Sequence, residues 1–321
     1  MEVIKYSSKY KEVWDEFVLS SNNGTMFQMQ KFLEYHSPEK FNFNHLIILD
    51  KGNIIALLPG AIVEGDIFES PIGASYGSLV TKDITFKKAM ELVSAILEYG
   101  KKKNFKEYLL TSAPMIYEKY QNQNLEFALL WQGFSYKLHY ISSAIKLDKE
   151  KDIIQRFSST IRRNVRRALK DSNLHLEIND NYHEFYPILL NNKARHDVKP
   201  THTLDELIKL KKLLPDYLKL FMVYYKDKPI AGSLMFYPNK QVALCFYNML
   251  LHEYAMHKPI QLLMYEIVKD ATELDYDYVD IGVSQDTKAE NPMTPSMELI
   301  DFKEKFDAKT ILRNTLYKKI Y

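Results

Sequence analysis

The chain has 321 residues, 46% hydrophobic and 26% charged, which excludes a disordered or fibrous protein and at this length favours two ordinary domains over one large core. With 43 Lys and Arg against 41 Asp and Glu the net charge is +2, so no global field draws the chain to nucleic acid or an anionic membrane, and any such pull must be local.

The opening stretch MEVIKYSSKYKEVWDEF breaks its apolar positions with charges, unlike a signal peptide, and no run reaches membrane-spanning length, so a cytoplasmic location is expected. Tyr10, Val13, Trp14 and Phe17 share one face of a helix predicted over 9–20, and 29–37 reads as a second short helix. HLIILD and NIIALLPGAIV flank Lys51-Gly52-Asn53 as a hairpin. Phe86, Ala89, Met90, Val93, Ile96 and Leu97 mark an amphipathic helix over 85–99, with Gly100 placed to end it in a left-handed cap. KEYLLTS then reads as a strand.

The second half repeats this order. Helices near 182–196 and 203–214 precede the strands LKLFMVYY, PIAGSLMFY and QVALCFYNM, a helix from Pro259 to Leu274 and the strand YDYVDIGV. Cys245, the single cysteine, cannot close an intramolecular disulfide and reads as a buried strand residue rather than a catalytic thiol. A helix pair, a meander, an amphipathic helix and a strand thus occur twice, which predicts an α+β protein of two units, 1–150 and 151–321, each a mixed, mainly antiparallel sheet covered by helices.

Four segments can carry chemistry. FSSTIRRNVRRALKDS, capped by Ser158 or Ser159, sets Arg162, Arg163, Arg166, Arg167 and Lys170 opposite an apolar stripe with no acid between them; it is either a solvated face compensated by acids elsewhere or a phosphate-binding surface. KARHDVKPTHTLDEL holds Arg195, His196, Lys199 and His202 in a loop before a helix capped by Thr203 and Glu206; the histidine spacing fits no metal, and an anion- or acceptor-binding loop is the functional alternative to a solvent-exposed one. Tyr247 and Asn248 end a strand ahead of the polar loop that opens the Pro259 helix, where anions can meet backbone N–H groups. In DYVDIGVSQD, Asp280 lies between apolar neighbours and needs a structural or functional partner, whereas the lysines of ELIDFKEKFDAK read by default as exposed.

Taken together, RRNVRRALK, PIAGSLMFY with FYN, HKPIQLLMYEIVKDATELDYDYVDIGVS and IDFKEKFDAK resemble the FemAB group and its GNAT-like relatives. The resemblance implies tandem GNAT-like domains and transfer of an acyl or aminoacyl group to an amine of a cell-wall or surface-polysaccharide precursor, small or nucleotide-linked. It places Lys303 near the transferred carbonyl. It also makes Tyr247 a candidate for orienting the acceptor or relaying its proton, and Asp280 the alternative base. Arg162, Arg163, Arg166, Arg195 and Lys199 are then candidate substrate-binding residues.

No bound cofactor or metal is implied, and the donor is either an acyl-CoA or an aminoacyl-tRNA. DNA is not an expected partner, while a charged tRNA and a peripheral place on the inner membrane face both fit. The sequence departs from the pattern twice: MHKPIQ stands where acetyltransferases have a glycine-containing pyrophosphate loop, and the long helical hairpin of some cell-wall members is absent. Alternatives are an acetyl-CoA-dependent N-acetyltransferase of a small amine or amino sugar, and a non-catalytic protein binding RNA or a phosphorylated ligand.

Overall fold

The structure, a computed structural model, describes residues 1–195 and 197–320, so His196 of the loop above lies outside the described residues. Two compact units result, one made of Met1–Tyr140 with the segment from Leu312 onward, the other of Ile141–Ile311. Each is α+β.

The first unit runs β1 (Glu2–Lys5), α1 (Lys11–Ser20), α2 (Gln30–Leu33), β2 (Leu46–Asp50), β3 (Asn53–Leu58), β4 (Ala61–Val63), β5 (Ile67–Ser70), β6 (Val80–Thr81), α3 (Phe86–Lys102), β7 (Glu107–Thr111) and α4 (Asn124–Trp131). Its strands pair as β1-β2-β3-β6 and as β4-β5-β7, with β5 and β7 parallel. The segment NIIALLPGAIV, which reads as one strand, is two, because Pro59 supplies no donor to a ladder and the chain changes sheets at Pro59-Gly60. Ala89, Leu92, Val93 and Ile96 of α3 pack on Leu46, Phe68, Tyr108 and Leu110.

Gly100 corrects another expectation. It lies inside α3, and the left-handed residue beyond the helix is Asn104 (φ 58°). Its smallness serves packing: a Cβ there would sit 2.8 Å from the ring of Tyr108, whose buried hydroxyl donates to Ile96 O at 2.6 Å. Gly100→Ala should therefore destabilise by about 1–3 kcal/mol in denaturant melts, although alanine is the better helix former by about 1 kcal/mol. An unchanged or raised midpoint would show that the Tyr108 ring yields at no cost.

The second unit starts within β8 (Ser135–Lys146), followed by α5 (Ile153–Arg156), α6 (Ser159–Lys170), β9 (Leu174–Asn179), α7 (Tyr182–Ala194), α8 (Leu204–Leu213), β10 (Leu218–Tyr225), β11 (Lys228–Phe236), β12 (Val242–Leu250), α9 (Pro259–Glu273), β13 (Tyr278–Val283), α10 (Met297–Glu304) and the start of β14 (Lys309–Lys319). Strand order is β8-β13-β12-β11-β10-β9, antiparallel except for β12 with β13. This unit begins ten residues before the boundary read from sequence because Ser142–Lys146 pair with β13, and it ends at Ile311 because Thr315–Lys319 pair with β7 of the first unit.

In the second unit, α9 buries Leu262, Leu263, Met264, Ile267, Val268 and Ala271 against β10–β12 and α6. The capping box of α8 forms as expected, with Glu206 N donating to Thr203 Oγ1 at 3.2 Å and Thr203 N donating to Glu206 Oε2 at 2.9 Å. No helix among the described residues is long and apolar enough to cross a membrane.

Candidate active site

The site grows from an incomplete strand pair. β12 and β13 bond in parallel only over Val242–Leu244 with Tyr278–Asp280, then both continue unpaired with each other, β12 to Leu250 and β13 to Val283. Parallel strands that part in mid-run leave backbone donors and acceptors without a ladder partner, a place where an elongated ligand can add itself. On β12 the register against β11 shifts between Tyr247 and Cys245, so Phe246 is a bulge that re-aims the side chains on either side of it.

Lys303 stands at this opening. The expectation of an exposed lysine is overturned: only 6% of it is accessible, and its ammonium donates to Gly282 O at 2.7 Å and Val283 O at 3.0 Å. The spacing explains its burial, since Ile300, Lys303 and Phe306 follow one another at three-residue intervals, and Phe306 is fully buried against Phe157 and Phe302. Burial lowers the Lys303 pKa to about 8, against the opposing pull of Asp280 and the Cys245 thiol. Asp280 is fully buried, and its Oδ1 accepts from Gly282 N at 2.8 Å and Ser142 Oγ at 3.1 Å. Cys245 is buried, as its strand context suggested, beside Ser233 Oγ at 3.2 Å, and its thiol is pushed up to about 11.

Tyr247 belongs to a different cluster. Its hydroxyl accepts from Thr201 N at 3.1 Å and lies 3.2 Å from His202 Nδ1, while its ring meets Phe185 and the Lys193 ammonium 5.8 Å away. Burial raises its pKa, so it does not ionise readily. The picture of His202 as part of a solvent-exposed loop fails: it is 3% accessible, edge-on to Phe236, Phe246 and Tyr247. The sequence carries a signal for it, because His202 directly precedes the Thr203 cap, which fixes the loop's return onto the sheet.

The remaining candidates are on the surface. Arg195 follows the last residue of α7 and Lys199 lies in the loop beyond it, both exposed and, among the described residues, without an ion pair. On α6, Arg163, Arg166, Arg167 and Lys170 are exposed and line a shallow groove with Asp171, whereas Arg162 is half-buried and donates to Gln155 O at 3.3 Å. Among the described residues no acid pairs with any of those four exposed cations, since Asp171 turns its carboxylate to His257 and Asn173. The start of α6 hangs on the end of α10 through Ser158 N to Lys305 O at 2.9 Å, and Arg156 fixes the same junction by donating from Nε and Nη2 to Asp307 Oδ2 at 3.1 and 2.8 Å. Sequence reasoning missed that ion pair and Ser142; Ser284, at the end of the Asp280 strand, has a buried hydroxyl with no hydrogen-bond partner among the described residues.

Residues 155–291 match the family described as the acetyltransferase (GNAT) domain. The crystal structure of FemX aligns over 99% of this chain and 97% of its own with a TM-score of 0.72 at 14% identity. The second unit thus carries the match to a GNAT domain, and the whole chain shares the fold of FemX. A tandem GNAT protein from the clavulanic acid biosynthesis pathway aligns over 100% of this chain and 98% of its own, with a TM-score of 0.58 and 10% identity. The C-terminal domain of a putative lysylphosphatidylglycerol synthetase from Agrobacterium fabrum aligns over 97% and 92%, with a TM-score of 0.60 and 11% identity. No curated protein matches this chain in sequence. The family match ends before Lys303, so that residue's place in the site rests on geometry.

Proposed function

We propose that the protein transfers an acyl or aminoacyl group from an activated donor to an amino group of a cell-wall or surface-polysaccharide precursor, with Lys303 beside the transferred carbonyl. The observation that carries this reading is the buried Lys303 ammonium at the opening between β12 and β13, held by two carbonyls and retaining a third N–H. The acceptor nitrogen bonds to the donor carbonyl carbon, the carbon–oxygen or carbon–sulfur bond to the carrier breaks, and a proton passes from nitrogen to the departing oxygen or sulfur. The third N–H of Lys303 stabilises the oxyanion formed on the way. Tyr247, with its raised pKa and its hydroxyl engaged by Thr201 and His202, orients the acceptor rather than acting as a base.

The start of α9 favours a donor other than CoA. Pro259 has no N–H, and the Lys258 N–H is taken by Ala255 O at 3.2 Å, which leaves this helix start a poor pyrophosphate cradle. The exposed cations of α6 supply phosphate binding instead, on a helix anchored at its other end to α10, as an aminoacyl-tRNA donor requires. Arg195 and Lys199 are proposed to serve the acceptor side.

Incubation with acetyl-CoA or charged tRNA and a panel of nucleotide-sugar acceptors, followed by mass spectrometry, tests the reading; no turnover of either donor with competent acceptors would count against it. Replacing Arg163, Arg166 and Arg167 together by Gln should raise the donor KM about 10- to 100-fold and flatten its salt dependence by two to three phosphate contacts' worth, with kcat little changed. A donor KM that ignores this change would remove α6 from the binding surface.

A further inference from the structure

We propose that Asp280 is a positioning residue whose carboxylate holds the left-handed turn at Gly282 and thereby aims two consecutive backbone carbonyls at the Lys303 ammonium. The inference rests on the reading of Lys303 given above but concerns how that side chain is held.

In a regular strand consecutive carbonyls point to opposite edges, so one ammonium cannot receive two of them. Lys303 nonetheless bonds both Gly282 O and Val283 O. What makes this possible is a local break in β13: Asp280 pairs with Ala144 and Val283 with Ser142, so three steps on β13 match two on β8. The extra residue is absorbed at Gly282, whose φ of +75° is left-handed and costly for any side chain.

Asp280 Oδ1 closes the turn locally by accepting from Gly282 N, the pattern by which Asp commonly shapes its own backbone two residues on. Ser142 Oγ, from the strand opposite, donates to the same oxygen and so fixes the carboxylate in turn. An acceptor held this way and fully buried is poorly placed to take a proton from a substrate amine, which separates Asp280 from the role of alternative base. Its charge has a second use. The titratable groups that bear on the Lys303 ammonium are Asp280 from β13 and Cys245 from β12, and both favour the protonated amine against the cost of its burial.

Two substitutions divide these effects. Asp280→Asn keeps an Oδ1 acceptor and loses the charge, whereas Asp280→Ala loses both. In the full-length protein, the Lys303 Nζ protons are followed by heteronuclear NMR, the signal being assigned by its loss in Lys303→Met, and transfer is measured in parallel. Asp280→Ala should speed exchange of those protons by about tenfold or more and lower kcat by a similar factor with KM little changed, as expected for losing a charge-assisted hydrogen bond. Asp280→Asn should leave exchange nearly unchanged and move the alkaline limb of the pH profile downward.

Gly282→Ala is the second route to the same turn. Its Cβ would meet nothing within 4 Å, so backbone strain alone should speed the exchange even if Asp280→Ala fails to fold. Unaltered exchange in Asp280→Ala, or in Gly282→Ala should the first not fold, would overturn the inference. Accelerated exchange combined with full transfer activity in Lys303→Met would instead sink the catalytic reading and leave the positioning intact.

Discussion

Lys303→Met will lower kcat on the order of 100- to 1000-fold, the cost of removing one oxyanion donor, while leaving the melting temperature nearly where it was. The two halves of this expectation have one cause. An amine held in a site that lowers its pKa to about 8 is bound less well as the cation than in water, by roughly 3 kcal/mol relative to an ordinary lysine. Methionine removes that burden but leaves Gly282 O and Val283 O unpaired, a loss of about 1–3 kcal/mol, so the two nearly cancel.

The pH dependence has a definite sign. Between pH 8 and the ordinary lysine value of 10.5 the folded chain carries fewer protons at this site than the unfolded chain, so the parent gains stability as pH rises through that window; the destabilisation is fully present below pH 8. Transfer runs the other way, because the ammonium is the working form and is lost above about pH 8. Melts and kcat measured from pH 6 to 10 should therefore diverge in the parent, and Lys303→Met should lack this rise in stability. A parent whose kcat stays level past pH 9 would contradict the oxyanion role.

Phe306→Ala will be the costliest single change near the site, destabilising by about 3–5 kcal/mol, which lowers the melting temperature by on the order of 10 °C. Phe306 is fully buried, edge-on to Phe157 at 5.3 Å and Phe302 at 5.2 Å, and its N–H closes the last turn of α10 onto Lys303 O at 3.0 Å. The cavity thus opens directly beneath the helix that carries Lys303. Phe306→Leu should recover more than half of the loss, and urea titration of the pair checks both. If Phe306→Ala costs less than about 1 kcal/mol, the packing of α10 on α5 and α6 is not what secures Lys303.

The elements with strong periodicity were legible in the chain: α3, α6, α8, α9 and the β10–β12 meander lie where apolar spacing, caps and turn residues place them. Short strands such as the internal β5 and the edge strand β9 were not, because a half-exposed strand of four to six residues offers little alternation to read. Gly100 misled because a glycine near a helix end signals a cap by default, and only the approach of Tyr108 shows that its missing Cβ is used for packing. Lys303 misled for the opposite reason: its charge masked the Ile300–Lys303–Phe306 spacing that marks a buried face. The links from Ser142 to Asp280 and from Arg156 to Asp307 span more than a hundred residues and leave no local trace. His202 was partly legible, through the cap that follows it.

The chain's one thiol gives the site a native reporter. Cys245 lies inside the opening formed by β12 and β13, shielded from solvent and held well above the pKa of an ordinary thiol. An alkylating reagent reaches it only when those strands part, so the labelling rate measures how often the site breathes, with no residue introduced for the purpose. A donor seated between the strands would slow that rate, turning the same sulfur into a binding assay that needs no turnover.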